Sequence, residues 1–482
     1  MKIKELTAKD IKNIMMDKAL IIVLVFMIIG IIIIEPSFLQ IRVLTDILTQ
    51  SAVKMICALG LMFALLLGGT DLSGGRQVGL AAVMAMSLTA CGGSNTAETT
   101  KAAETTAADA KAEGSEAADT AATDAGAAGG VFKIGGIGPV TGGAAVYGVA
   151  VQHGAELAVK EINEAGGING AQIEFNFQDD EHDAEKSVNA YNTLKDWGMQ
   201  VLMGTVTSAP CIAVADKTAA DNMFQITPSG SAVECAANPN VFRICFSDPD
   251  QGAASAKYIG ENKLASKVAV IYDSSDVYSS GIYEKFAEES ANQGIEIVAA
   301  EAFTADSNKD FSTQLQKAKD AGAELVFLPI YYTEASLILQ QASTMGFAPQ
   351  FFGCDGMDGI LQVQNFDTKL AEGLMLLTPF AADATDDLTV KFVESYKAAY
   401  NEVPVQFAAD AYDAIYAIKA AIEDANVTPD ADASTICDAL KASMLNIKLD
   451  GLTGEGMTWT EDGEPHKAPK AVKVVDGAYS AM

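Results

Sequence analysis

Residues 131–164 read VFKIGGIGPVTGGAAVYGVAVQHGAELAVKEINE: a short apolar run, a glycine-rich turn, and a long segment whose apolar residues recur at helical spacing. Residues 132–137 read as a strand. Val151, Ala155, Ala158, Val159 and Ile162 share one face of a helix over residues 149–164, which Gly166 and Gly167 end. The same unit repeats downstream. A strand at 173–177 precedes a helix at 183–197 with Asp183 as its N-cap, then come a strand at 201–203, a helix at 209–221 and a strand at 224–226. A second series begins after a strand at 242–246. It alternates helices at 251–262, 281–293, 311–321 and 334–345 with strands at 267–272, 295–303, 325–328 and 350–352. Repeated strand–helix units with nearly continuous apolar strands predict an α/β protein with parallel sheets covered by helices on both faces. Two series predict two lobes.

Ahead of this region the chain changes character. Residues 19–34 (ALIIVLVFMIIGIIII) carry no charge and, with flanking residues, are long enough to span a bilayer. Lys2, Lys4, Lys9, Lys12 and Lys18 precede them, which predicts a cytoplasmic N-terminus. A second apolar run, residues 55–69, closes on GGTDLSGGR. The next, residues 79–91, reads GLAAVMAMSLTAC and ends at Cys91 before Gly92-Gly93-Ser94. Residues 92–130 hold no aromatic and no large aliphatic residue, so they cannot bury enough apolar surface to offset the entropy of ordering, and a disordered tether is expected.

The whole chain has 482 residues, a formal net charge of −31 and charged residues at 20%. That charge argues against nucleic acid and anionic membrane surfaces as partners. The seven cysteines form no CxxC pair and no zinc spacing. Cys235 and Cys245 are near enough in sequence to bridge, against the plainer reading of small buried thiols. No GxSxG, HExxH or P-loop occurs, and the only histidines are His153, His182 and His466, so no enzyme, no metal and no cofactor is expected. Gly136-Ile137-Gly138 with Gly142 imitates a dinucleotide loop, but Pro139 and the spacing fit poorly. Asp179-Asp180-Glu181-His182-Asp183 reads as a solvated loop and helix cap rather than a metal site.

In open parallel sheets a ligand binds beyond the carboxyl ends of the strands. The residues just after the strands include Tyr147, Ser208, Ser229, Ser231, Tyr278, Tyr332 and Asp355. A serine at a helix N-terminus can join backbone N–H groups in meeting a carboxylate. Each residue also has a plain alternative: a serine there caps a helix, Asp355 in GCDG forms a turn, and the tyrosines pack.

Residues 131–482 resemble the solute-binding proteins of branched-chain amino acid ABC transporters, the Leu/Ile/Val-binding family with the two-lobe type I periplasmic-binding-protein fold. The stretches that carry the resemblance are GPVTGGAAVYG, AVKEINEAGGING, QDDEHD, TPSGSA, FSDPDQG and FAADAYDAIYAI. It implies one lobe from residues 131–248 and 380–450, and another from residues 249–379 and 451–482. It further implies that Ser208, Ser229 and Ser231 hold an α-carboxylate and help with the ammonium, that Asp355 faces the ammonium, and that Tyr278 contacts the ligand from the second lobe. Asp355 stands where the better-known members carry Glu, and Tyr147 at the mouth where they carry Trp. Residues 1–78 resemble the start of the membrane subunit of galactose- and ribose-type sugar ABC transporters. Residues 79–91 resemble a lipoprotein signal with Cys91 as the acylated residue, so a junction of two genes is expected there. The expected partners are an amino-acid ligand, permease subunits, and the outer face of a bacterial cytoplasmic membrane, reached through Cys91, the apolar spans, or both. A sensory ectodomain and a sugar-transport fusion remain as alternatives.

Overall fold

The computed structural model describes residues 130–482, so the expected spans, the Cys91 signal and most of the tether lie outside the described residues. Among the described residues no helix is long and apolar enough to cross a membrane. They form two sheets.

The first sheet has the order β2-β1-β3-β4-β5 and is parallel throughout. Its strands are β1 (Val131–Gly138), β2 (Gln172–Asp179), β3 (Val201–Gly204), β4 (Phe224–Thr227) and β5 (Val241–Arg243). Between them run α1 (Ala145–Glu164), α2 (Ala184–Trp197) and α3 (Ser208–Asp221). Every residue of β3 and β4 is buried, as expected of strands covered on both faces. Asp183 caps α2 as its sequence position suggests, accepting from Glu185 N and Lys186 N. One expectation shifts. The strand expected at 242–246 is shorter and begins one residue earlier: β5 ends at Arg243 and closes this first sheet.

The second sheet has the order β12-β11-β10-β9-β8-β6-β7. Strands β6 (Lys267–Asp273), β7 (Glu296–Phe303), β8 (Leu325–Leu328), β9 (Gln350–Gly353) and β10 (Met375–Thr378) are parallel, while β11 (Lys470–Val475) and β12 (Ala478–Ala481) add an antiparallel edge. Helices α4 (Asp248–Glu261), α5 (Val277–Asn292), α6 (Ser312–Asp320) and α7 (Tyr332–Thr344) alternate with these strands. After β10 the chain forms α8 (Asp387–Tyr400), α9 (Gln406–Ala425) and α10 (Ala433–Met444), which pack on α1 and on β3 and β4 of the first sheet, before it returns to β11. The chain therefore passes between the two sheets three times.

The α1–α9 crossing is tight enough to demand glycine. A Cβ on Gly154 would lie 2.1 Å from the Ala408 carbonyl oxygen, a backbone atom that cannot swing aside. Gly154→Ala is expected to destabilise the fold by about 1–3 kcal/mol through overpacking. Urea unfolding checks this, and an unchanged midpoint would contradict the close approach.

Candidate functional site

The carboxyl ends of β3 and β4 build one wall. Thr207 is the N-cap of α3 and Ser208 its first residue, so the helix presents its free N–H groups and positive dipole end at the strand mouth. Ser208 Oγ accepts from Ser231 N at 3.3 Å and Ala232 N at 3.1 Å. Both lone-pair directions are then occupied, and its O–H is left to donate outward. Ser229 is arranged the opposite way: its hydroxyl donates to Val206 O at 2.6 Å, which leaves its oxygen as an acceptor. The wall thus offers donors fit for a carboxylate and an acceptor fit for an ammonium.

The loop holding these serines owes its shape to Arg243, whose side chain is fully buried. Its guanidinium Nη1 donates to the carbonyls of Gly230 (3.3 Å) and Ser231 (2.6 Å), and Nη2 to those of Ala232 (3.0 Å) and Val233 (3.3 Å). With four successive carbonyls drawn to one side, the N–H groups of Ser231 and Ala232 turn to Ser208. Glu464 forms an ion pair with Nε at 3.2 Å.

The second sheet supplies the opposite wall. Asp355 opens the short turn Asp355–Met357 after β9, and Tyr278 lies in the first turn of α5. Tyr278 OH donates to Asp355 Oδ1 at 2.7 Å and accepts from Gly356 N at 2.9 Å. Gln251 Nε2 donates to Asp355 Oδ2 at 3.0 Å. Both side-chain partners are neutral. Burial dominates, and it pushes the Asp355 carboxyl up to about 6 against the lowering effect of Tyr278, Gly356 and Gln251. A cation seated against Asp355 would reverse that shift.

Between the walls lies a cavity of about 230 Å³, lined by Tyr147, Val206, Thr207, Ser208, Ser229, Ser231, Tyr278, Tyr331, Asp355, Gly356 and Phe407. Of the residues singled out in the sequence, Tyr147, Ser208, Ser229, Ser231, Tyr278 and Asp355 come together here. Tyr332 does not line the cavity. It braces the mouth instead: its hydroxyl accepts from Val146 N at 3.2 Å, and its N–H donates to Tyr147 OH at 3.2 Å. Tyr147 OH in turn donates to Gly356 O, joining α1 to the turn after β9. A larger cavity, about 1170 Å³ by the same measure, on the other side of Asp355 and Gln251 reaches Lys257, Glu289 and Lys467, but it lacks the paired serine and acid walls.

Sequence reasoning did not single out Val206, Thr207 and Gly356 of the lining, nor three further residues that shape the site. Tyr331 stacks on Tyr278 with centroids 4.9 Å apart, and Phe407 lies 4.3 Å from Tyr147, so Tyr147, Tyr278, Tyr331 and Phe407 form an aromatic box beside the two polar walls. Arg243 is the third, and its signal was available, since it is the sole arginine after residue 131. Cys235 does not meet Cys245: both are free and buried, and Cys235 clusters with Cys211.

The chain is similar to known proteins. The chain is 33% identical over 304 residues to Leu/Ile/Val-binding protein homolog 3 of Brucella melitensis, covering 62% of this chain and 81% of that one. It is 30% identical over 318 residues to the leucine-, isoleucine-, valine-, threonine-, and alanine-binding protein of Pseudomonas aeruginosa, covering 66% and 83%. Among solved structures, the branched-chain amino acid transporter substrate binding protein LivJ of Streptococcus pneumoniae, in complex with isoleucine, superposes with a TM-score of 0.67 at 29% identity, covering 73% of this chain and 99% of that one. A family model described as periplasmic binding protein matches residues 131–478, and the chain belongs to that family.

Proposed function

We propose that the chain is the solute-binding component of an ABC importer, that it closes on a branched-chain or related amino acid, and that it delivers this ligand to a separate permease. One observation carries the proposal: a wall of hydroxyl and amide donors faces a buried carboxylate whose side-chain partners are neutral, across a cavity bounded by four aromatic rings. A zwitterion with an apolar side chain satisfies all three parts. Ser208 and the α3 N-terminus take the α-carboxylate, Ser229 and Ser231 assist, Asp355 faces the ammonium, and the aromatic box holds the side chain. Tyr147 closes the mouth, backed by Tyr332. The first lobe binds the ligand, and rotation about the three crossings brings Tyr278 and Asp355 over it. Ligand favours the closed state only through contacts better made there. The chain performs no chemistry on its ligand. It is held at the outer face of the cytoplasmic membrane, through acylated Cys91 or the upstream apolar segments.

Calorimetry of the full chain in detergent, titrated with leucine, isoleucine and valine and with galactose and ribose, tests the proposal. Saturable binding of amino acids and not sugars is expected, and sugar binding alone would refute it. The pH dependence follows from Asp355. Its ionised form is the one that pairs with an ammonium, and without ligand it protonates near pH 6. Affinity is expected to be constant well above pH 6 and to fall below it by up to about tenfold per pH unit. The slope should vanish in Asp355→Asn.

A further inference from the structure

The stretch Asp179-Asp180-Glu181-His182-Asp183 reads as a solvated loop, yet the structure wires it closely. Asp179 Oδ1 accepts from Val140 N at 3.0 Å and Glu181 N at 2.9 Å, and its Oδ2 accepts from Thr141 Oγ1 at 2.6 Å. Asp180 Oδ1 accepts from His182 N at 2.9 Å. These bonds hold two successive left-handed residues, Glu181 at φ 50° and His182 at φ 61°. That conformation is unfavourable for residues with a Cβ and persists only where the surroundings impose it. Its effect is to aim one side chain. The His182 ring is directed at the cleft, where Nδ1 lies 2.8 Å from Thr207 Oγ1 and the ring meets Tyr331 at right angles, with centroids 5.7 Å apart.

Thr207 and Tyr331 both line the ligand cavity, and they stand on opposite walls. His182 itself does not line it. We infer that His182 is a positioning residue of the amino-acid site: it fixes Thr207 at the N-cap of the carboxylate-binding helix and is the seat on which Tyr331 lands when the lobes close. The inference rests on the amino-acid reading above and deepens it by adding a lobe-to-lobe contact that ligand binding completes. Burial keeps the imidazole below its ordinary pKa, so the ring that docks is neutral. A neutral ring gives up little hydration when Tyr331 covers it, and an edge-to-face aromatic pair favours that geometry.

The test is isoleucine calorimetry on the full chain with His182→Ala, His182→Gln, Tyr331→Leu and the double variant His182→Ala/Tyr331→Leu. Loss of one hydrogen bond and one aromatic contact should weaken binding about tenfold in His182→Ala. His182→Gln, which can still bond Thr207, should recover part of that loss. In the Tyr331→Leu background the seat has no ring to receive, so adding His182→Ala should cost about threefold or less. A role confined to folding would lower the unfolding midpoint of the ligand-free protein and leave the two affinity losses multiplicative. If His182→Ala binds isoleucine within twofold of wild type, or if its effect is undiminished beside Tyr331→Leu, the inference fails while the amino-acid reading stands. Wild-type protein that binds no amino acid overturns both.

Discussion

Asp355→Asn is expected to lower isoleucine affinity by two to three orders of magnitude while leaving the ligand-free protein at least as stable as wild type. The first effect follows from what the closed cleft does to a cation. An ammonium taken out of water and faced by an amide has lost the charge partner proposed for it, and breaking a buried pair in this way costs about 3–5 kcal/mol, or roughly two to three decades in Kd. The opposite effect on stability follows from the ligand-free carboxyl. Its pKa is raised to about 6, chiefly by burial, above the value of about 3.9 in an unfolded chain. A carboxyl raised on folding penalises the fold at every pH above its folded pKa, and the penalty is relieved as pH falls through that value. At pH 7.5 the wild-type fold therefore bears a cost of about 2–3 kcal/mol that the neutral, equally sized Asn removes, less whatever its amide loses against Tyr278 and Gln251. Calorimetry and urea unfolding on the same two proteins read both effects. A variant with less than a fivefold loss of affinity excludes Asp355 as the ammonium partner. A variant that is weak in binding only because it is unstable assigns Asp355 a structural role.

The architecture was legible because parallel sheets write themselves plainly: strands buried on both faces are continuous apolar runs, and helices carry their own period. The site was legible to the extent that it obeys the same geometry. Ser208, Ser229, Ser231, Tyr278 and Asp355 all follow strands at their carboxyl ends, and all of them line the cavity. What was not legible depends on a single step of backbone. Tyr331 is an extended N-cap residue with ψ at 160°, and Tyr332 is the first residue of α7. No periodicity says which of two adjacent tyrosines at such a junction points inward. Phe407 comes from α9, a helix that follows the entire second series in the chain and returns to pack on α1. Its arrival at the cleft is a fact of topology. His182 looked solvated because a run of four acids and one histidine has no apolar pattern, and the left-handed turn that aims it is anchored in part by long-range bonds to Val140 and Thr141. Arg243 differs, because a lone arginine in a long acidic domain invites the question of what it neutralises. The answer is four peptide carbonyls and one carboxylate.

That answer makes Arg243→Met the substitution with the largest expected effect on stability. The guanidinium is the sole side-chain donor found for the Gly230, Ser231, Ala232 and Val233 carbonyls among the described residues, and it is fully buried. Methionine fills most of the volume and satisfies none of them. The Ser231 and Ala232 carbonyls keep the backbone N–H groups of Asp248 and Cys235 as donors, so at most those of Gly230 and Val233 are left without one; a buried acceptor so left costs about 1–3 kcal/mol, and Glu464 loses its counterion. Relaxation of the loop recovers part of this, for a net loss of about 2–4 kcal/mol. The loop can relax only by turning its carbonyls elsewhere, which rotates the Ser231 and Ala232 N–H groups away from Ser208 Oγ. Amino-acid affinity should then fall with stability, the reverse of the pattern at Asp355. Arg243→Lys keeps the charge, but a single ammonium cannot span four carbonyls in the plane of a fork, so it should recover less than half of the loss. Trp459 provides the readout. Its indole Nε1 donates to the Arg243 carbonyl at 2.8 Å, and the chain has only one other tryptophan, Trp197, so fluorescence-monitored urea unfolding reports on this corner of the fold. A loss below about 1 kcal/mol in Arg243→Met, about what a single hydrogen bond contributes, would mean that the carbonyls find water instead. The shape of the carboxylate wall would then have to be credited to the strands alone.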